Sequence, residues 1–520
     1  MKKITIAIVL LASLNNLFGQ GNQSQYDPGI KNVPTSPEVA LLGRFGDIPV
    51  GHYTGTAEVS VPLYTLKVDN IEIPLALSYH TSGIKVADEA TWVGLGWNFM
   101  PEGTITQEIR GREDSVTGGD GFNTASGYSQ FKSFFPTLYS ENQTFRLQRG
   151  FSETNDGYSL VGHDPSVPDD SNEIIIRLKE KKGQPDIFTY NFYGYSGKFF
   201  YNPENNTEIV FMESNDDVKF TRMSEGWLAK NNKGDKFYFN AIEKSRSNQT
   251  DYTDIGYTFK VTKIELVSGK VVNFTYQDES TYQEYPTEVA RFPNFTMSPS
   301  VNTSYNATIN DKKTLIGIET EDTRIVFNLN NRDDIKPYSV SVPIKKLASI
   351  DIKSKYPDKK IKSFVFNTDY FPTVSFSGAE EGYKNKRLKL NSIQEVNYNE
   401  QSTAVQNIPP YVFEYDTSHI MPSKMSSSDF YGYHNGSNDG TLLPDLRFFD
   451  YLDTPPYKNY NLNVNYPYNG ANRYTNQNYI TTNILKKVTY PTAARTEFEY
   501  ESNTFFQPIY PDPAAGTICQ

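Results

Sequence analysis

The sequence predicts an all-β fold of successive antiparallel hairpins that form sandwich- or shell-like sheets, with very little helix. Its 520 residues include 37 Tyr and 33 Phe, which favour half-buried pleated surfaces. Long segments alternate apolar and polar residues with the period of a strand. Short polar turns join these segments in pairs, as in β-hairpins.

The first 38 residues indicate an export signal followed by a polar leader. Lys2 and Lys3 precede the apolar run ITIAIVLLAS, and the small residues of LFGQGN follow it. This run is shorter than the ~20 residues that span a bilayer, so it predicts a signal peptide over residues 1–20. Residues 21–38 are the polar leader. No later apolar run has the length of a membrane span, so we expect a secreted or cell-envelope protein.

Charge and cysteine content exclude some classes of protein. The net charge of −11 and the pI near 5.2 argue against a nucleic-acid partner, which requires a basic face. Cys519 is the single cysteine, so the chain forms no internal disulfide. We therefore expect burial and hydrogen bonding to hold the fold.

The clearest hairpin begins with TAEVSVPLYTLKV and returns with IEIPLALSYH around the turn pair Asp69-Asn70. Pro62 and Pro74 lack an N–H group, so each predicts an edge or a gap in the ladder. The apolar residues predicted to share one face in each strand are Ala57, Val59, Val61 and Leu63, and then Ile71, Ile73, Leu75, Leu77 and Tyr79.

The same pattern recurs at irregular spacing, which excludes a strict solenoid repeat. Four further hairpins are predicted, with turns at Ser196-Gly197, Ser268-Gly269 and Thr320–Asp322 and within ILKKVTYPTAARTEFEYES.

Other segments predict helix, loops and domain limits. ASGYSQFKSFFPTLYSENQ, residues 125–143, predicts one short helix that stops at Pro136. Residues 293–313 and 431–474 predict long loops. A boundary near 245–255 divides the chain into an N-terminal β domain (39–250), a second β region (251–505) and a tail (506–520).

The segment ATWVGLGWN, Ala90–Asn98, is called the tryptophan box here. Its two glycines give Gly-x-Gly, but Phe99 stands in place of the third glycine of a dinucleotide fingerprint, and no helix is predicted after it. We interpret the box as a packing signature, in which the glycines let the backbone approach Trp92 and Trp97. A stacked sugar is the alternative.

Other motifs do not assemble a catalytic or metal site. GYSGK lacks the spacing of a nucleophile elbow, and no H-E-x-x-H occurs. NGSNDGTLLPDL, residues 435–446, ends in Leu446 where a calcium loop has a bidentate Glu. Adjacent carboxylates on a strand point to opposite faces; they are Asp169-Asp170, Asp216-Asp217, Asp333-Asp334 and Glu380-Glu381. The five histidines are scattered: His52, His80, His163, His419 and His434. We therefore predict no catalytic, cofactor-binding or metal residues, no cofactor and no enzymatic activity.

Residues 36–99 resemble the N-terminal region of exported bacterial RHS/YD-repeat proteins, the RHS repeat-associated core family. The matching features are the Tyr-Thr-Gly-Thr strand, the IPLALSYHTSGIKV run and the WVGLGW box. RLKLNSIQEV, PPYVFEYD, FYGYHNG and the segment from Gly470 to Glu501 are similar as well. The resemblance thus spans most of the mature chain.

This resemblance implies a β-sheet chain that, in full-length relatives, winds into a hollow shell around a variable C-terminal part, often a toxin. The chain ends at PDPAAGTICQ, without YD repeats or an effector-like domain, so we expect the N-terminal part of such a protein, a truncated relative or a stand-alone module. Its expected role is a toxin-associated scaffold, whose partner is its own C-terminal repeat and effector region.

Two alternatives remain open at this point. One is a secreted adhesin with a cell-surface or glycan partner, which exposed and coplanar tryptophans would favour. The other is a carbohydrate-active hydrolase, which needs two facing carboxylates in a cleft.

Overall fold

The computed structural model describes residues 56–109, 151–154, 157–160, 185–202, 205–213, 217–247, 254–291, 300–373, 382–437, 439, 441–443 and 470–502. The predicted signal peptide, the leader, the segment 125–143 with its predicted short helix, and the tail (506–520) lie outside these residues. The chain divides into two compact units, Met1–Ala57 and Glu58–Gln520, and all but two described residues belong to the second. No helix among the described residues combines the length and apolarity that crossing a membrane requires.

Antiparallel strands make up nearly all of the regular secondary structure among the described residues, which confirms the predicted all-β class. The first twelve strands are β1 (Glu58–Val68), β2 (Ile71–His80), β3 (Trp97–Asn98), β4 (Thr104–Glu108), β5 (Phe151–Thr154), β6 (Gly157–Leu160), β7 (Ile187–Phe192), β8 (Tyr195–Asn202), β9 (Asn205–Phe211), β10 (Val218–Arg222), β11 (Trp227–Asn231) and β12 (Lys236–Phe239).

Thirteen more strands follow among the described residues, with one short 3₁₀ helix at Gly382–Lys384. They are β13 (Ala241–Ser247), β14 (Asp254–Lys260), β15 (Lys263–Glu265), β16 (Val271–Arg291), β17 (Ser300–Glu319), β18 (Thr323–Asn331), β19 (Lys345–Lys355), β20 (Asp358–Tyr370), β21 (Leu388–Tyr398), β22 (Ala404–Asn407), β23 (Tyr411–Tyr415), β24 (Leu485–Thr489) and β25 (Arg495–Glu497).

The first predicted hairpin forms as expected around Asp69, whose φ of +51° suits a tight turn. β1 and β2 pair from Glu58–His80 to Val68–Ile71, and the register shifts between Pro62 and Tyr64. This bulge moves the buried face, so Leu66 and Val68 continue the core while Leu63 is only half-buried. The predicted irregularity at Pro62 is therefore present, and it alters the predicted face of β1.

The long hairpin β16–β17 joins three antiparallel ladders. β17 pairs with β16 along nearly its whole length, while its other edge pairs with β13 at residues 308–311 and with β18 at residues 317–319. One ladder continues from β13 to β14, β4, β7, β8 and β9. A second continues from β18 through β19, β20, β21, β23 and β24 to β25. A third runs from β16 through β15, β12 and β11 to β10.

An aromatic core packs between the first and third ladders. The Trp227 ring of β11 lies 5.2 Å from the Phe188 ring of β7 and 5.3 Å from the Phe199 ring of β8, measured between centroids. Phe199 also stacks on Phe220 of β10 at 4.8 Å. These rings are buried, so facing hairpins form a sandwich whose core is largely Phe, Tyr and Trp.

Two local predictions were wrong. Residues 300–313, expected in a loop, are the first part of β17; residues 292–299 lie outside the described part of the chain. The turn expected at Ser196-Gly197 lies at Tyr193-Gly194, where both residues have positive φ values. The turns at Thr320–Asp322 and Ser268-Gly269 were placed correctly.

The domain limits stay predictions. β13 and β14 flank the proposed boundary at 245–255 and pair with each other, while residues 248–253 lie outside the described ranges.

Replacing Trp227 with Ala should lower the free energy of unfolding by about 3–5 kcal/mol, because the fully buried ring leaves a cavity in the aromatic core. Urea denaturation followed by circular dichroism measures this loss. The control, Val340→Ala, alters a side chain that is 95% exposed and should change stability by less than about 0.5 kcal/mol. Equal effects of the two substitutions would contradict the sandwich core.

Candidate functional site: the tryptophan box and its cavity

Trp97 anchors the tryptophan box in the interior, as the packing interpretation predicts. The residue is 1% exposed. Its ring lies 5.1 Å from the Tyr79 ring of β2 and 4.6 Å from the Phe413 ring of β23. Its Nε1–H donates to the Tyr415 hydroxyl at 2.8 Å, and that hydroxyl donates to the Leu390 carbonyl at 2.7 Å. The only polar atom of the indole is therefore satisfied in the core.

The two glycines of the box allow close backbone contacts. Gly94 has φ +144°, and a Cβ there would meet the backbone nitrogen of Leu390 at 3.1 Å. Gly96 has φ +78°, and its Cβ would meet the Tyr79 ring at 2.5 Å. Between them, the Leu95 amide donates to the Leu388 carbonyl at 2.9 Å. A side chain at either position would separate the box from β2 and β21.

A buried ion pair holds the start of the box. Arg332 donates to both carboxylate oxygens of Asp334 at 2.7 and 2.6 Å, and to the carbonyls of Thr91 and Ala90 at 2.6 and 3.1 Å. Asp334 also accepts the Leu388 amide at 2.9 Å. These bonds satisfy both ions, which would otherwise be costly to bury.

A second buried arginine fixes the segment before the box. Arg387 donates to the carbonyl of Val86 at 2.5 Å and to that of Pro422 at 2.9 Å. Burial lowers the pKa of Arg387 to about 10, although Asp88 and Asp334 oppose this shift. The guanidinium thus bridges two distant segments.

Trp92 has a different environment from Trp97. It is half-buried, and its ring lies 5.8 Å from Phe99 and 6.1 Å from Phe327 of β18. Its Nε1–H donates to the Phe99 carbonyl at 3.0 Å. The remaining part of Trp92 lines a cavity.

This cavity, called the box cavity here, has a volume of about 220 Å³. The box and the residues just after it supply one wall. Strands β13, β14, β16 and β17 supply most of its charged groups, and its apolar surface includes Leu315, Ile335 and Ile344. Sequence patterns predict only packing at this position.

Lys260 forms an ion triad in the box cavity. Its Nζ lies 3.1 Å from Glu102 and 2.9 Å from Glu243, and it also donates to the Lys313 carbonyl at 3.0 Å. Burial lowers the pKa of Lys260, but attraction to Glu102 and Glu243 outweighs burial, so the pKa is raised from its ordinary value. The other Glu102 oxygen, Oε2, is buried and has no hydrogen-bond partner among the described residues.

Lys312 also lines the box cavity, but it enters no ion pair with any described carboxylate. Its cross-strand neighbour is Glu279, whose oxygens accept bonds from Gln277 and from the Lys345 amide instead. The Lys312 surface is accessible to water. The protein around Lys312 nevertheless removes enough of the surrounding water to lower its pKa. The nearby carboxylates Glu89, Glu243 and Glu279 act in the opposite direction and raise it.

A second cavity of about 410 Å³ contains another perturbed pair. Burial raises the pKa of Glu89 and lowers the pKa of Lys424 to about 8, while their mutual attraction opposes both shifts. Their charged groups lie 4.0 Å apart, and Lys424 donates to the Asp334 carbonyl at 2.6 Å.

The structure brings together two histidines that are far apart in the sequence. The rings of His419 and His434 lie 4.2 and 5.0 Å from the Tyr479 ring. His80 contacts the Ser82 hydroxyl at 2.8 Å. His52 and His163 lie outside the described residues.

The adjacent carboxylates and the candidate calcium loop make ion pairs and hydrogen bonds within the fold, where their residues are described. Asp333 and Asp334 point to different environments, since Asp333 pairs with Lys386 and Asp334 with Arg332. In the candidate calcium loop, Asn435 donates to the carbonyls of Asn472 and Tyr474. Residues 438, 440 and 444–446 of that loop and the pairs 169–170 and 380–381 lie outside the described residues, as does Asp216. Within the described ranges, no three His, Cys, Asp or Glu side chains are grouped as metal ligands would be.

Comparison with known proteins gives only distant likenesses. No family model matches the chain, and neither does any curated protein. The crystal structure of TcdB2-TccC3 is 11% identical, with a TM-score of 0.32 over 71% of this chain and 16% of that one. The Tc holotoxin pore of Photorhabdus luminescens is 10% identical, with a TM-score of 0.31 over 69% and 16%.

A third likeness is to the N-terminal domain of effector protein SpvB from Salmonella typhimurium strain LT2. It is 10% identical, with a TM-score of 0.27 over 66% of this chain and 99% of that domain. These structural neighbours are toxin and effector proteins, at low identity. The chain spans about a sixth of the length of the toxin chains it matches.

The hydrogen bond between Trp97 and Tyr415 should couple the box to β23. Trp97→Phe and Tyr415→Phe should each lower the free energy of unfolding by about 1–3 kcal/mol, because each removes one partner and leaves the other buried. A double-mutant cycle measured by urea denaturation should give a coupling energy of about 0.5–3 kcal/mol. Strict additivity would contradict the coupling.

Stability should also depend on the ionisation of His434. Burial lowers the pKa of His434 to about 4, aided by repulsion from His419 and Arg387. Between pH 6.5 and about 4 the unfolded chain binds the proton more readily, so stability falls as the pH falls through this window. Urea denaturation at pH 7 and pH 4.5 measures the free energy of unfolding of wild type and of His434→Gln. Lowering the pH should reduce the stability of wild type more than that of the variant. A constant difference would count against this assignment.

Proposed function

We propose that this chain is an exported, non-enzymatic β scaffold that forms the N-terminal part of an RHS/YD-repeat shell-type protein. Its own C-terminal repeat and effector region would be its partner. The observation that carries this proposal is the joining of the box to strands about 300 residues later in the chain, exemplified by the bond between Trp97 and Tyr415.

Three features support a role as a wall. The ladders are antiparallel and continuous through β16 and β17. The aromatic core is buried between facing hairpins, so many of the Phe, Tyr and Trp side chains serve in packing. The residues that resemble RHS/YD-repeat proteins, including the box, are among those that make the long-range contacts.

The glycan-binding alternative has less support. A sugar platform needs an accessible aromatic face, whereas Trp97 is 1% exposed and the Trp92 ring packs near Phe99 and Phe327. Their burial differs, so the two tryptophans are not a matched pair of exposed platforms.

The hydrolase alternative also has less support. Two carboxylates of the box cavity, Glu102 and Glu243, share the Lys260 ammonium. A glycosidase places an acid and a base or nucleophile in unlike environments, whereas one cation here contacts both.

The scaffold proposal predicts the architecture of the whole gene product. The reading frame beyond Gln520 is determined first, and the entire product is then purified and imaged by electron cryomicroscopy. Strands β1 to β25 should form a continuous section of wall around a chamber that holds the remaining chain. An isolated domain outside any shell would contradict the proposal. The proposal would also be contradicted if the wild-type chain hydrolysed labelled polysaccharides and the substitution Glu243→Gln abolished that hydrolysis.

A further inference from the structure

The box cavity contains charged groups that the folded chain leaves without full partners. Lys260 is neutralised by Glu102 and Glu243. Lys313 and Arg332, which also contribute to the lining, are paired with Asp278 and Asp334. Lys312 has no such ion pair among the described residues, so it supplies an ammonium that can bind an added anion.

An unsatisfied acceptor lines the same cavity. Glu102 is 6% exposed, and its Oε2 has no partner among the described residues. A buried carboxylate oxygen without a donor costs free energy, which a bound N–H group would recover. Glu279 adds a second carboxylate, whose contact with the Lys345 amide is long at 3.4 Å.

The remaining wall is apolar and the space is small. Trp92, Leu315, Ile335 and Ile344 contribute the apolar surface, and the volume of about 220 Å³ is below that of most drug-sized pockets. A ligand that satisfies all three features carries a negative group, a positive donor group and a short apolar side chain.

We propose that the box cavity binds a small zwitterion, an α-amino acid with an apolar side chain. Lys312 contacts the ligand carboxylate, Glu102 accepts from the ligand ammonium, and the apolar side chain lies against Trp92 and Leu315. This binding does not depend on the scaffold role, because it follows from the lining of the cavity alone.

A matched set of ligands separates this proposal from simpler ones. The full chain is titrated by isothermal calorimetry with L-leucine, with L-leucinamide, which lacks the carboxylate, and with N-acetyl-L-leucine, which lacks the ammonium. D-glucose and sodium sulfate are the uncharged and anion-only comparisons. L-leucine should bind with a Kd of about 1 mM or tighter, and each analogue should bind at least about tenfold more weakly.

A pair of variants tests the role of the lysine. Lys312→Met keeps the length of the side chain but removes its charge, and should weaken L-leucine binding at least about tenfold. Lys219→Met removes an exposed lysine of β10 that does not line the cavity, and should leave binding within about twofold. Circular dichroism checks that both variants are folded.

Each outcome supports or overturns the proposal. The proposal is supported if both analogues bind weakly and if Lys312→Met, but not Lys219→Met, loses L-leucine binding. Absence of L-leucine binding at about 10 mM overturns it, as does equal binding of leucinamide, of N-acetyl-leucine or of sulfate. If Lys312→Met does not fold, the comparison of ligands on the wild-type chain is sufficient to support or overturn the proposal.

Discussion

The structure depends on burying the indole of Trp97 with its single N–H satisfied. A ring of this size contributes a large apolar area, but an unpaired N–H in the core would cancel part of the gain. The Tyr415 hydroxyl removes that cost, and it can do so only if β23 lies directly against the box. One side-chain contact thus requires two segments 318 residues apart to meet.

The neighbouring ionic contacts follow the same constraint. Where the box packs against β21, the arginines Arg332 and Arg387 donate to the backbone carbonyls of Val86, Ala90 and Thr91. Asp334 balances one of these charges and also accepts the Leu388 amide. On the side of the box facing β13 to β17, charges are only partly matched, which leaves Lys312 facing the cavity. The same segment therefore has one surface used for packing and another able to bind a ligand.

Sequence patterns predicted the hairpins, which depend on residues close in the sequence. They missed the features that depend on contacts between distant segments. Alternation placed the β1–β2 hairpin, but the bulge after Pro62 changed which residues of β1 face inward. Residues 300–313 are rich in Asn, Ser and Thr and suggested a loop, yet pairing with β16 holds them as a strand. The box cavity was not predictable because Glu102, Lys260 and Lys312 come from separate parts of the chain. Each of these side chains alone is indistinguishable from a surface charge.

Native-state hydrogen exchange tests most directly whether the box folds as one unit with β21 and β23. The Leu95 amide, which donates to Leu388, reports on the box, and amides of β21 and β23 report on the strands it contacts. If the account is correct, these amides exchange with one shared opening free energy, and both sets lose protection together as denaturant increases. A box that opens at a much lower free energy, while β21 and β23 stay protected, would contradict it.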